Sequence, residues 1–529
     1  NALACTNLIV GKNASADGST IVSYSADSYG LFGELYHYPA GMHKKGTLID
    51  IHEWDTGKYL GQIEQARQTY NVIGNMNEFQ LTIGETTFGG RPELVDTTGI
   101  IDYGSLIYLG LQRSRTAREA IKVMTELVQE YGYYSSGESF TIADPNEIWI
   151  MEMIGKGPGV RGAVWVAVRV PDDCISAHAN QSRIHQFNMN DKENCMYSPD
   201  VISFAREKGY FDGVNKDFSF ANAYAPLDFG ARRYCEARVW SYFNMFTDRG
   251  NEFLPYILGE TNTPMPLFVK PNRKVSVQDV KNAMRDHYEG TPLDISKDFG
   301  AGPYHTPYRL SPLSFKVGDR EYFNERPIST QQSGFVFVAQ MRSELPDPIG
   351  GVLWFGTDDA NMTVFTPVYC CTDKVPVCYT RVDGADYITF SWNSAFWIFN
   401  WVANMVYPRY DLMIDDVRAT QTELETTFNE AQEGVEAAAA KLLEKDPAKA
   451  KAFLTNYTNM TAQSTFDTWK RLGEFLVVKY NDGVVKRMKN GQFERNSIGQ
   501  PAGVIRPGYP KEFLEEYVKQ TGDRYKMPE

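Results

Sequence analysis

The order in which strand-like and helix-like stretches follow one another is the strongest constraint on how this chain can fold. Residues 5–11 form a β-type run, Asp17-Gly18 is a hairpin turn signal, and residues 19–24 form the returning strand. Residues 71–88 repeat the plan, with a turn at 74–78 and a strand at 79–87. Residues 139–153 form a hairpin around Asp144-Pro145-Asn146, and 163–170 and 175–179 are further strands. Apolar β-rich runs return at 334–340, 351–355 and 362–369. Two helices interleave. One spans 116–131, with Ala120, Met124, Leu127, Val128 and Tyr131 on one face and Gly132 at its end. The other spans 276–288 and opens on the capping-box variant Ser276-x-x-Asp279. Residues 415–480 are helix-rich and broken near Pro447; the polar tail from Asn481 is expected to be irregular and packed on the body. No linker interrupts residues 5–410 and no fixed-period repeat is present, so the pattern predicts one large α+β domain with a helical C-terminal region.

Composition narrows the class. The 529 residues are 43% hydrophobic and 22% charged, an ordinary globular balance that excludes a disordered or collagen-like chain. The formal net charge of −13 argues against a general nucleic-acid binder, which needs a basic face. No apolar run reaches the ~18 residues of a membrane span. The most apolar stretch, residues 394–406, is short and aromatic and reads as core.

The sequence begins Asn1-Ala2-Leu3-Ala4-Cys5. Ala2-Leu3-Ala4 is a small-x-small tripeptide of the kind signal peptidases cut after, so residues 1–4 read as a leader or propeptide remnant and the protein as exported, periplasmic or extracellular. Cleavage after Ala4 would make Cys5 the N-terminus. Its α-amine, with an ordinary pKa of about 7.7–8.0, could then take the thiol proton and return it to a leaving amine. Two other uses of Cys5 stay open: a buried or disulfide-bonded cysteine, or a lipidated anchor, although a lipoprotein site favours Leu where Ala2 stands. The other six cysteines allow disulfides and buried thiols equally. Scattered His residues and the absence of paired C-x-x-C spacing argue against a metal site.

Several blocks, in order, resemble the dipeptidases of peptidase family C69, relatives of the secernins. They are Cys5-Thr6-Asn7-Leu8-Ile9-Val10-Gly11-Lys12 with Asp17-Gly18-Ser19-Thr20; Glu138-Ser139-Phe140-Thr141-Ile142-Ala143-Asp144 with Glu147-Ile148-Trp149; and Trp165-Val166-Ala167 with Arg169-Val170-Pro171-Asp172-Asp173. Ala179-Asn180-Gln181-Ser182-Arg183-Ile184, Arg285-Asp286-His287-Tyr288-Glu289-Gly290-Thr291-Pro292 with Asp294, Gly302-Pro303 and Gly350-Gly351-Val352-Leu353-Trp354-Phe355 follow. The resemblance covers about residues 5–369. It implies an N-terminal-nucleophile (Ntn) hydrolase: a four-layer αββα sandwich of two antiparallel sheets, with residues 5–410 as catalytic domain and 411–529 as a helical region packed on it. It implies hydrolysis of small peptides, dipeptides above all, with no metal or organic cofactor. A homo-oligomer is compatible with everything in the sequence.

The resemblance also assigns roles. Cys5 is the expected nucleophile, forming a thioester that water cleaves. Asp27 falls where the related bile-salt hydrolase and penicillin acylase group places an Asp beside the amine; otherwise it is a loop or cap residue. Those relatives carry an Arg three residues earlier, where this chain has Tyr24, so the thiolate-stabilising charge has to come from elsewhere or be missing. Asn180 is expected to donate to the oxyanion, against a plain turn role. Glu85 and Thr86 fall where relatives place a second oxyanion or substrate group. Arg232, Arg233 and Arg238 form a basic cluster that could bind a peptide carboxylate, against the alternative of a solvated helical face, and Arg238 matches a catalytic-site Arg. His287, tempting within Asp286-His287-Tyr288, is expected to be structural. Within enzymes the competing reading is an N-acyl amide hydrolase; outside them, a peptide-binding lipoprotein anchored at Cys5.

Overall fold

The strand Asn7–Val10 pairs antiparallel with Thr20–Asp27, Ile9 opposite Val22 and Val10 opposite Ile21, as the Asp17-Gly18 turn predicts. Gly18 takes φ +80°, which a residue with a Cβ rarely adopts. This is a computed structural model, and it describes residues 4–529; Asn1, Ala2 and Leu3 of the expected leader lie outside the described residues.

The hairpin sits inside a six-stranded antiparallel sheet. Its spatial order is Ile175–His178, Asn7–Val10, Thr20–Asp27, Ser333–Met341, Val352–Thr357, Thr366–Tyr369. Every residue of Thr20–Asp27 and of Ser333–Met341 is buried, so these strands read as unbroken apolar and small-polar runs rather than as alternation. A second, eight-stranded sheet runs Cys195–Tyr197, Ala163–Arg169, Ile148–Gly155, Gly137–Ala143, Thr82–Gly89, Met76–Asn77, Val72–Ile73, His37–Tyr38.

Period-two alternation sorts the side chains of the second sheet. Ile83, Phe140, Ile142, Trp149 and Met151 pack with Leu106, Leu109, Ile121 and Met124 of the helices Tyr103–Arg113 and Ala117–Tyr131. Ile148, Ile150, Val164 and Val166 belong instead to the large core that also holds Leu8, Val10, Ile21 and Val338 of the six-stranded sheet. Polar contacts join the sheets as well: the Thr20 hydroxyl donates to the Asp144 carbonyl at 2.7 Å.

Most expected elements are present, with boundary changes that have causes. Thr116 caps Ala117–Tyr131 and Gly132 ends it at φ +79°. Ser276 and Asp279 form a complete capping box, but the helix they open covers only Val277–Ala283. Tyr288 adopts φ +67° with its buried hydroxyl donating to the Arg326 carbonyl, a conformation no helix through 288 could hold. The expected 362–369 strand starts at Thr366, because Asp359 caps a short 3-10 turn at Ala360–Met362. The aromatic 394–406 stretch is the helix Ala395–Val406, buried along Ile398, Phe399, Val402 and Val406. Behind it run the long helices Tyr410–Leu443 and Pro447–Tyr480; Trp469 stacks on Phe399 with ring centres 4.8 Å apart. The tail is less irregular than expected and holds a helix, Lys511–Thr521, with no buried residue among those described. All seven cysteines are free thiols. Among the described residues, no helix is long and apolar enough to cross a membrane.

Candidate active site

Cys5 enters the fold at the edge of the central hairpin. Thr6 bridges Ser25, and the Ala4 amide donates to the Asp27 carbonyl at 2.9 Å, so the backbone of residues 4–6 follows the buried end of Thr20–Asp27. Two guanidiniums then clamp the carbonyls on either side of the Cys5 amide nitrogen and Cα. Arg326 Nη2 donates to the Ala4 carbonyl at 2.5 Å, and Arg238 Nη1 donates to the Cys5 carbonyl at 2.6 Å. Arg238 also donates to the Thr6 hydroxyl, the Ala179 carbonyl and Asn180 Oδ1, at 2.8, 3.0 and 2.9 Å. Burial, then the neighbouring Arg326 charge, brings Arg238 down to about 10, so it stays a cation at neutral pH.

Asp27 lies at the end of this clamp. Its Oδ2 pairs with Arg326 Nη2 at 2.5 Å and accepts from Ser25, and its Oδ1 accepts from Ser333 at 2.6 Å. The carboxyl is fully buried, which is tolerable because both oxygens have partners and one partner is a cation.

The sulfur faces the other way. Sγ lies 3.5 Å from Glu85 Oε1 and 3.7 Å from Tyr24 Oη, and Tyr24 donates to the same Glu85 oxygen at 2.6 Å. Burial, then the Glu85 charge, pushes the Cys5 thiol well above its ordinary value. Glu85 has a second carboxyl for a neighbour, Glu138, which is diagonal to it across the strand pair. Burial raises both, and Glu138 is raised furthest, with the Glu85 charge as its second cause. One oxygen of each, Glu85 Oε2 and Glu138 Oε2, has no hydrogen-bond partner among the described residues.

Asn180 stands at φ +65° just past Ile175–His178, its Nδ2 donating to the Thr87 carbonyl at 2.8 Å while Oδ1 accepts from Arg238. It lines a cleft of about 370 Å³ with Ala4, Tyr29, Tyr234, Arg238 and Arg326. Cys5, Asp27, Glu85, Asn180 and Arg238 are therefore brought together.

Three other expected residues are not. Thr86 is next to Glu85 in sequence but points to the opposite face, where it bonds His178 Nδ1 at 2.7 Å; Thr141 takes the other ring nitrogen at 2.6 Å. The basic cluster does not converge: it spans the π-helix Ala231–Glu236 and the start of the α-helix Ala237–Phe246, and its arginines point to different partners. Only Arg238 reaches Cys5. Arg232 turns to the Thr261 carbonyl and Asn262, and Arg233 pairs with Glu325 beside the Phe323 ring. His287 is buried, its Nδ1 2.9 Å from Glu289 Oε1. Sequence reasoning missed Arg326, which sits in Glu325-Arg326-Pro327 with no motif around it. It also left Glu138 without a role, though Glu138 opens one of the matching blocks. Among the described residues no cluster of His, Cys, Asp and Glu is placed to hold a metal ion.

A family model described as peptidase family C69 matches residues 4–37 and 32–423. A "Probable dipeptidase" of Salmonella dublin is 30% identical over 387 residues, 69% of this chain and 81% of the relative. A "Probable dipeptidase" of Latilactobacillus sakei is 26% identical over 77% of this chain and 82% of the relative. "Dipeptidase A" of Lactobacillus helveticus is 24% identical over 74% and 80%.

Proposed function

The chain belongs to peptidase family C69, and from that premise we propose that it hydrolyses dipeptides with Cys5 as nucleophile and the Cys5 α-amine as general base. The observation that carries the reading is the clamp on residues 4–6. Two arginines and Asp27 fix the one cysteine of the chain that stands at the head of a matching block, directly after Ala4, which lines the cleft with Asn180 and both arginines.

In the mature form the bond between Ala4 and Cys5 is broken. Arg326 supports that step as well, since it holds the carbonyl of the bond to be cut. The freed amine lies next to Asp27, whose carboxylate favours and orients an ammonium. The amine takes the thiol proton, Sγ attacks the substrate carbonyl, and the oxyanion is met by the side-chain amide of Asn180. The proton passes to the departing amine of the second residue, leaving a thioester on Cys5. Water, deprotonated by the same amine, cleaves the thioester, releasing the first amino acid and restoring the thiol. The cationic charge missing at Tyr24 is supplied by Arg238 and Arg326, which lie on the backbone of the nucleophile rather than beside its sulfur.

The two facing sheets, with helices beyond each, support the four-layer Ntn arrangement. Residues 5–410 then form the catalytic unit, with 411–529 as the region packed on it.

The test compares protein beginning at Cys5 with its Cys5→Ala form on a set of dipeptides, with intact mass confirming the N-terminus. Essentially complete loss of turnover in Cys5→Ala is expected; retained hydrolysis would refute the assignment. A form carrying a permanent residue before Cys5 should be equally inactive.

A further inference from the structure

The charge of Arg326 lies beside the atom that becomes the general base. Its Nη2 is 2.5 Å from the Ala4 carbonyl oxygen. Standard bond lengths put the Cys5 nitrogen about 2.3 Å from that oxygen, so the nitrogen is within about 5 Å of Nη2. The guanidinium is held in this place. Nη1 donates to the Pro327 carbonyl at 2.6 Å and to the Ile328 carbonyl at 3.3 Å, Nη2 also pairs with Asp27, and the side chain is 5% exposed. The other charged or titratable groups around Cys5 divide between its two sides. Tyr24 and Glu85 face the sulfur, whereas Asp27 and Arg238 face the backbone. Tyr29, Tyr234 and Cys235 line the cleft next to Ala4; burial raises all three, so they are neutral at working pH.

A general base works only while it is free of its proton. Asp27 acts against that, because a buried carboxylate beside an amine stabilises the ammonium, and any charge on Glu85 adds to the pull. Arg326 opposes it in two ways. It is bonded to Asp27 Oδ2, which offsets the carboxylate, and its own charge repels an ammonium in a medium that screens poorly. That charge is felt elsewhere in the clamp, where it is the second cause, after burial, of the lowered Arg238. We propose that Arg326 is a positioning residue for the base: it balances Asp27 so that the Cys5 α-amine is unprotonated at neutral pH and can accept the thiol proton. Asp27 then orients the amine without locking it as an ammonium. This rests on the dipeptidase reading above and gives a task to an arginine that no matching block marks.

The test is the pH profile of kcat/KM on one dipeptide for protein beginning at Cys5, in wild-type, Arg326→Gln and Arg326→Lys forms. The acid limb reports the base of the free enzyme. In Arg326→Gln it should move up by about one pH unit or more, so that turnover at pH 7 falls about tenfold and largely recovers by pH 9. Arg326→Lys, which keeps the charge, should hold the limb near its wild-type position. An equal loss at every pH with an unmoved limb would mean that Arg326 only supports the fold, and a limb displaced as far in Arg326→Lys would mean that its charge is not the cause; either overturns the inference. A second measurement needs no variant. In wild-type protein labelled with 15N-cysteine, the terminal amine is distinct from the six amide-bonded cysteines and its titration can be followed directly. It should titrate at or below the ordinary value of about 7.7–8.0 in spite of Asp27; a midpoint above about 9 would overturn the inference even if Arg326→Gln fails to fold. Retained hydrolysis in Cys5→Ala would instead refute the dipeptidase mechanism on which the inference rests.

Discussion

At Cys5 the two halves of one residue face different environments. The backbone is held by cations, and the sulfur is held beside a carboxyl and a phenol. A thiol near a carboxylate resists ionisation, because the thiolate would meet a like charge in a medium that screens it poorly. Glu85 is the second cause of the raised thiol, after burial. Glu85→Gln keeps the shape and removes the charge, so the thiolate should form at lower pH. Site-resolved alkylation of Cys5 by iodoacetamide across a pH series should show the inflection moving down and the rate at neutral pH rising; an unmoved inflection would mean the Glu85–Glu138 pair is already neutral. This scale is also where the sequence was least legible. Cys5, Asp27, Asn180 and Arg238 could be named from matching blocks. Arg326 could not, because its partner Asp27 lies 299 positions away and no local pattern marks it. Tyr24 was legible only as the absence of an arginine, not as the hydroxyl that ties Cys5 to Glu85.

At the scale of elements, local chemistry fixed what was local. Asp17-Gly18, Thr116 with Gly132, and Ser276 with Asp279 each do what turn and cap residues do. The arginine triplet was expected as a basic cluster for a peptide carboxylate; around the π-helical Ala231–Glu236, Arg232 and Arg233 take partners of their own and only Arg238 reaches Cys5. The Val277–Ala283 helix carries a liability that the sequence did not signal. Lys281 is fully buried with its Nζ 3.4 Å above the Trp354 ring centre, and that nitrogen has no hydrogen-bond partner among the described residues. Burial depresses it from 10.5 to about 7, against the pull of Glu425. Between these two values the unfolded chain binds the extra proton, so this lysine costs most below about pH 7 and the cost fades as pH rises towards 10.5. Lys281→Met should raise the unfolding free energy by ~1–4 kcal/mol near pH 6. Thermal melts at pH 6 and pH 9 should show a larger gain at the lower value; an equal gain would locate the effect in packing alone.

At the scale of the molecule, the C-terminal helices are part of the main core rather than an appendage. Phe428, Leu454, Trp469 and Leu472 belong to the same apolar cluster as the six-stranded sheet. Arg285 of the body pairs with the buried Glu425 of Tyr410–Leu443 at 2.5 Å. Burial would raise Glu425, but the Arg285 and Lys281 charges hold it at about 2. A chain ending at residue 410 should therefore be insoluble or molten, lacking a cooperative melt by circular dichroism, whereas a sharp transition would show that the body folds unaided. The sheet order has a temporal meaning too. Ser333–Met341 lies between the first hairpin and Val352–Thr357, so the pocket around the nucleophile stays unbuilt until some three hundred residues have followed Cys5 out of the ribosome. A hydrolase built this way stays inert until Ser333–Met341, nearly two-thirds of the way along its 529 residues, has been made.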